Sequence, residues 1–279
     1  RMDYYNNDFD GIDQVQARNH YLRHMKSAMN NSGVDDLSLH PEMHVIDATP
    51  MYLPKSDRVP NRVLCLCPWA RLIVLLREPI SRAYSQFNMD AVHANQEKRA
   101  TGNGERMSRL GSFDEFVQRD YDTLIQLGVL LPENATDSER QAHYGSSKEY
   151  DAWKIYTKMG TTMPIGRSLY AIQLRHWINA YKAQHQPLRL LVVNSDDMKE
   201  RTEDTYRKVL DFLNLPHDLP DTFHEHHKHH YIAPMSESVR TFLERVFEPY
   251  NQQLGDLLGV EWAGVWQYSK NATNSTQEE

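Results

Sequence analysis

The 279-residue chain is poor in cysteine, has no excess of positive charge and lacks an unbroken hydrophobic run of membrane length. Two cysteines, Cys65 and Cys67, exclude a disulfide-built scaffold and a four-cysteine zinc site. Lys and Arg number 31 against 38 Asp and Glu, a net charge of -7. That balance argues against a general nucleic-acid binder, yet it permits a local basic cleft for an anionic ligand. The one long apolar stretch, Val63 to Leu76, is interrupted by Pro68 and Arg71 and does not read as a transmembrane helix. Hydrophobic residues make up 40% and charged residues 25%, enough apolar surface to bury a core, so the chain is not disordered as a whole. It opens at Arg1 without an initiator Met or a signal peptide and is expected to be a piece of a longer polypeptide. Four Asn-x-Ser/Thr sequons, at Asn30, Asn134, Asn271 and Asn274, fit a secretory lumen or an Asn-rich surface that is never glycosylated.

The hydrophobic pattern alternates between strand and helix. Leu72 to Leu76 is apolar at every position, as a strand buried on both faces of a parallel sheet must be. Pro79 suits the first turn of the helix that follows, where its missing N–H is not needed. Leu188 to Val193 is a second apolar strand, and His44 to Asp47 a short one. Helices are predicted over Gln14 to Met25 and Phe113 to Leu127. Further helices run along Tyr170, Leu174, Trp177, Ile178 and Tyr181, along Tyr206 to Leu213, and along Val239 to Phe247, where Pro249 should kink or end the last one. Residues 93–111 and 134–150 read as polar surface insertions, and 269–279 as a disordered tail. Residues 1–268 are expected to form one α/β domain with a mostly parallel sheet.

Ligands of open parallel sheets sit at the carboxyl ends of the strands. Arg77 directly follows the Leu72–Leu76 strand, and Ser85 lies eight residues on, inside the next helix. A guanidinium fork and a hydroxyl placed in this way can converge on one phosphate, although a strand-end Arg alone is more often an ion-pair residue.

The local words are more specific than the spacing. Leu75-Leu76-Arg77-Glu78-Pro79, followed by Arg82-Ala83-Tyr84-Ser85, resembles the 3′-phosphate-binding segment of the carbohydrate sulfotransferases that use 3′-phosphoadenosine 5′-phosphosulfate (PAPS). Asp47-Ala48-Thr49-Pro50-Met51-Tyr52, Ser168-Leu169-Tyr170-Ala171, Asp211-Phe212-Leu213-Asn214-Leu215 and Phe247-Glu248-Pro249-Tyr250-Asn251 resemble further words of that family, in the same order. Ala48 leans toward the branch resembling the chondroitin N-acetylgalactosamine 4-sulfate 6-O-sulfotransferase rather than the heparan-sulfate branch, which usually has Lys there. The resemblance implies a P-loop nucleotide-kinase-like, three-layer α/β/α fold. It also implies sulfuryl transfer from PAPS to a glycan hydroxyl without a metal, in the Golgi lumen, with a membrane anchor upstream of this chain.

By the same resemblance Arg77 and Ser85 bind the 3′-phosphate, with Tyr170 and Lys228 as further nucleotide-binding residues. Asp47 either faces the acceptor sugar or caps the turn before Thr49. No Gly-rich Lys-x-Gly-(Thr/Ser) turn follows an apolar strand here, so the family's first strand and phosphate loop are expected upstream. The Glu that is the family's catalytic base aligns at Arg1, so the base either lies just outside this chain, shifted by a residue, or is absent, and no residue is assigned to it. Lys228 lies among His224, His226, His227, His229 and His230, for which metal ligation, a solvated loop and closure over the nucleotide are all open readings. The alternative to catalysis is a non-catalytic glycan- or nucleotide-binding relative. A phosphoryl-transfer enzyme is less favoured, because no Mg²⁺-binding Asp word follows either apolar strand.

Overall fold

The computed structural model describes residues 15, 16, 19, 21, 23, 26, 45–159, 164–223 and 234–268. The described positions between 15 and 26 are helical, as the sequence predicts. Two strands, β1 (Leu72–Leu76) and β2 (Leu190–Asn194), pair in parallel with Leu72 opposite Leu190 and Leu76 opposite Asn194. The connection between them carries most of the helices, as parallel pairing requires. The α/β class with a parallel sheet therefore stands, within a mostly helical chain.

Helix α1 (Val59–Leu66) precedes β1. After β1 come α2 (Pro79–Thr101), α3 (Glu105–Leu110), α4 (Phe113–Leu127), α5 (Asp137–His143), α6 (Ser147–Met159) and α7 (Tyr170–Ala183). After β2 come α8 (Ser195–Glu200), α9 (Thr202–Leu213) and α10 (Glu237–Leu258). Val74 and Leu76 of β1, with Leu190 and Val192 of β2, pack on Tyr170 and Leu174 of α7 and Leu254 of α10. The larger core lies beside the sheet, where α2, α4, α6 and α10 bury Ile80, Val117, Leu124, Trp153 and Phe247.

Several elements differ from the sequence reading. Ile73 and Leu75 are 41% and 58% exposed, so β1 is not buried on both faces. Its apolar pentad sits at the free edge of a sheet that has two strands among the described residues. Residues 45–47 are not a strand. The predicted loop 93–111 is instead the end of α2, closed by the left-handed Gly102, followed by α3. It reads as polar because only Ala94 and Leu110 are buried along that stretch. The insertion at 134–150 contains α5, started by a capping box between Thr136 and Glu139, and the first turn of α6. Pro249 does not end α10. Burial of Phe247, Tyr250 and Leu254 on either side of it carries the helix through, and the Gln253 amide donates to the Pro249 carbonyl at 3.2 Å.

Candidate functional site

The site is built where β1 hands over to α2. Glu78 is the N-cap of α2, its carboxylate accepting the backbone N–H groups of Ile80 at 3.0 Å and Ser81 at 2.7 Å. Pro79 holds the first helical position. Tyr268 hydrogen-bonds the same carboxylate through its hydroxyl, and its own N–H donates to Glu248 of α10 at 2.9 Å. The first-turn donors of α2 are thus occupied by Glu78, and an incoming anion at this end must rely on side chains.

Arg77 and Ser85 are the two side chains that the sequence reading assigns to this end. Both are half-buried. Arg77 is the first residue past β1, and its carbonyl accepts the Tyr170 hydroxyl at 2.9 Å. Ser85 stands two turns into α2, about 9 Å along the helix axis from Pro79, and its hydroxyl makes no hydrogen bond with any described residue. Tyr170 itself is 4% exposed at the start of α7, against Trp266.

Asp47 is engaged locally. Its carboxylate accepts the Thr49 hydroxyl at 2.7 Å and the Tyr52 hydroxyl, closing the turn at Pro50. It also faces Tyr21, whose phenol is pushed upward first by burial and then by this carboxylate. Lys228 and the surrounding histidines lie outside the described residues, as do Arg1 to Asp10. Among the described residues no group of His, Cys, Asp and Glu is arranged to hold a metal ion.

A buried polar cluster supports the site and is not evident in the sequence words. Arg82 on α2 donates from Nε to the Ser168 hydroxyl at 2.5 Å, from Nη1 to Gln86 at 2.8 Å, and from Nη2 to the Pro164 carbonyl. Burial lowers its guanidinium to about 10. Asp120 on α4 is 3% exposed and accepts the Tyr156 hydroxyl at 2.7 Å and the N–H groups of Ile165 and Gly166 at 2.7 and 3.1 Å. Burial lifts its carboxyl to about 6, against the pull of those three donors and of Arg82. A sequence signal for Asp120 exists: it occupies the apolar stripe formed by Phe113, Val117 and Leu124. Tyr268 has no such signal, since Glu78 lies 190 residues away.

Residues 57–249 match the family described as "Sulfotransferase domain". The membrane-associated sulfotransferase kil1 of Dictyostelium discoideum is 21% identical over 272 residues, covering 82% of this chain and 55% of that protein. Carbohydrate sulfotransferase 15 of Homo sapiens is 24% identical over 209 residues, covering 71% of this chain and 31% of that protein. The chain thus spans about half the length of the first relative and under a third of the second. A crystal structure of a sulfotransferase from Alicyclobacillus acidocaldarius superposes with a TM-score of 0.46 at 17% identity, over 87% of this chain and 78% of that one.

Proposed function

The chain belongs to the sulfotransferase domain family, and from that premise we propose that its parent protein transfers a sulfuryl group from PAPS to a glycan hydroxyl in the Golgi lumen. What supports this reading is the position of Arg77 directly after β1 and of Ser85 on α2, the Ser85 hydroxyl having no hydrogen bond among the described residues. A planar guanidinium and a hydroxyl suit the 3′-phosphate that distinguishes PAPS from common adenine nucleotides. PAPS supplies the activated sulfuryl group, with adenosine 3′,5′-bisphosphate as the leaving group. Arg77 and Ser85 hold the nucleotide in register and contribute by positioning. The reading assigns them no proton transfer.

A glycan acceptor is supported by similarity to the human carbohydrate sulfotransferase and by a cavity of about 630 Å³. Tyr121, Tyr144 and Tyr268 line this cavity, and Arg245, Glu248 and Gln252 add polar groups, a mixture that suits sugar rings. It shares Tyr268 with the Glu78 cap, so it adjoins the start of α2. A lumenal location is supported by Asn134, an exposed sequon asparagine, and by the membrane association in the name of the Dictyostelium relative. Among the described residues no helix is long and apolar enough to cross a membrane.

The test is transfer of radiolabelled sulfur from PAPS to a panel of neutral and sulfated glycans by the full-length protein, with and without EDTA. Labelled glycan in both conditions is the expected result. Failure to label any glycan, in a preparation shown to bind PAPS, overturns catalysis in favour of a binding role.

A further inference from the structure

We infer that Asp120, Arg82 and Ser168 are positioning residues that set Arg77 through the Tyr170 hydroxyl, an inference resting on the nucleotide-binding role proposed for Arg77. Arg82 lies three residues before Ser85 and would be the natural candidate for a second phosphate-binding cation. Its hydrogen bonds point elsewhere. Nε, Nη1 and Nη2 are each engaged, by Ser168, Gln86 and the Pro164 carbonyl. Its guanidinium therefore serves the turn between α6 and α7, not a ligand.

That turn is gripped from two sides. Asp120 takes its N–H groups at Ile165 and Gly166, while Arg82 takes its carbonyl at Pro164 and its hydroxyl at Ser168. The Gln173 amide adds a third fastening, donating to the Gly166 carbonyl at 2.8 Å. The two gripping side chains carry opposite charge and each favours the ionised form of the other. Tyr170 begins α7 two residues beyond Ser168 and donates its hydroxyl to the Arg77 carbonyl. The last register pair of the ladder is Leu76 with Asn194, so Arg77 lies one residue past the sheet. Tyr170 fixes the Arg77 peptide where pairing no longer does. A clamped peptide limits the directions open to the guanidinium, and the loss of that clamp falls on affinity for the phosphate it meets.

The experiment compares adenosine 3′,5′-bisphosphate with adenosine 5′-monophosphate, which lacks the 3′-phosphate, by calorimetric titration of the full-length protein. Tyr170→Phe and Ser168→Ala should each weaken bisphosphate binding by about three- to ten-fold, as expected for one lost hydrogen bond, and leave the monophosphate unchanged. In an Arg77→Ala background, Tyr170→Phe should have no further effect. Full retention of bisphosphate preference in both single variants overturns the inference. Equal weakening of both nucleotides also overturns it, because that is the mark of general destabilisation. A wild-type protein that does not prefer the bisphosphate instead removes the reading of Arg77 itself, and the positioning role with it. Asp120→Asn, followed for its melting temperature as well as for affinity, extends the test to the far end of the chain of contacts.

Discussion

His176 should make the protein markedly acid-sensitive, by an amount that follows from its surroundings. It is 8% exposed on α7, and its Nδ1 lies 3.0 Å from the Ser56 hydroxyl. The Trp153 indole N–H donates to the same hydroxyl oxygen at 3.0 Å. With its oxygen accepting from the indole, the serine keeps its own proton available for the Nδ1 of a neutral imidazole. Tyr150 covers the ring edge-on at 4.7 Å. Burial, followed by the charge of Arg175, lowers His176 to about 4 from 6.5. The folded state thus binds this proton less readily than the unfolded state. The stability this contributes is complete above about pH 6.5 and is lost as the pH falls toward 4. Between about pH 7.5 and about pH 5 the loss is about 2 kcal/mol, because the unfolded imidazole has titrated and the folded one has not. For a chain of this size that is about 4–8 °C in Tm. Urea unfolding of wild type and His176→Gln at both pH values isolates the effect from the carboxylates, which titrate in both proteins. The wild-type advantage should shrink by about 2 kcal/mol at the lower pH. An advantage that is the same at both pH values would refute the buried neutral histidine.

Ser85→Ala should weaken adenosine 3′,5′-bisphosphate binding by about ten- to a hundred-fold, the worth of one hydrogen bond to a charged acceptor, with no change in Tm because the hydroxyl has no hydrogen-bond partner among the described residues. An unchanged Kd would remove Ser85 from the site. Gly166→Ala should lower stability by about 1–3 kcal/mol in chemical denaturation, since a Cβ there overlaps the Tyr156 ring and hydroxyl. Wild-type stability in that variant would mean the turn is not packed against α6 as described.

The parts of the fold visible in the sequence are those with strong local chemistry. Leu72–Leu76 announces β1 by its unbroken apolar run, and Phe113–Leu127 announces α4 by its stripe and its Ser112–Glu115 capping box. The second half of α2 is invisible because a mostly solvated helix carries almost no apolar period. α5 is hidden in the same way, with His143 its one buried residue. At the site, Arg77 and Ser85 are legible as a spacing within a recognisable word, but what holds them is not. Tyr170 meets the Arg77 carbonyl across 93 residues and Arg82 meets Ser168 across 86, distances over which no local pattern persists. Asp120 is the missed signal, a carboxylate that interrupts an apolar stripe and is therefore a buried group in need of donors.

The central claim is that Arg77 holds the 3′-phosphate of the sulfuryl donor. Calorimetric titration of adenosine 3′,5′-bisphosphate into the full-length protein and its Arg77→Ala variant tests it most directly. The account predicts a loss of about 1.5–3 kcal/mol, roughly ten- to a hundred-fold in Kd. Equal affinity in the two proteins would contradict it.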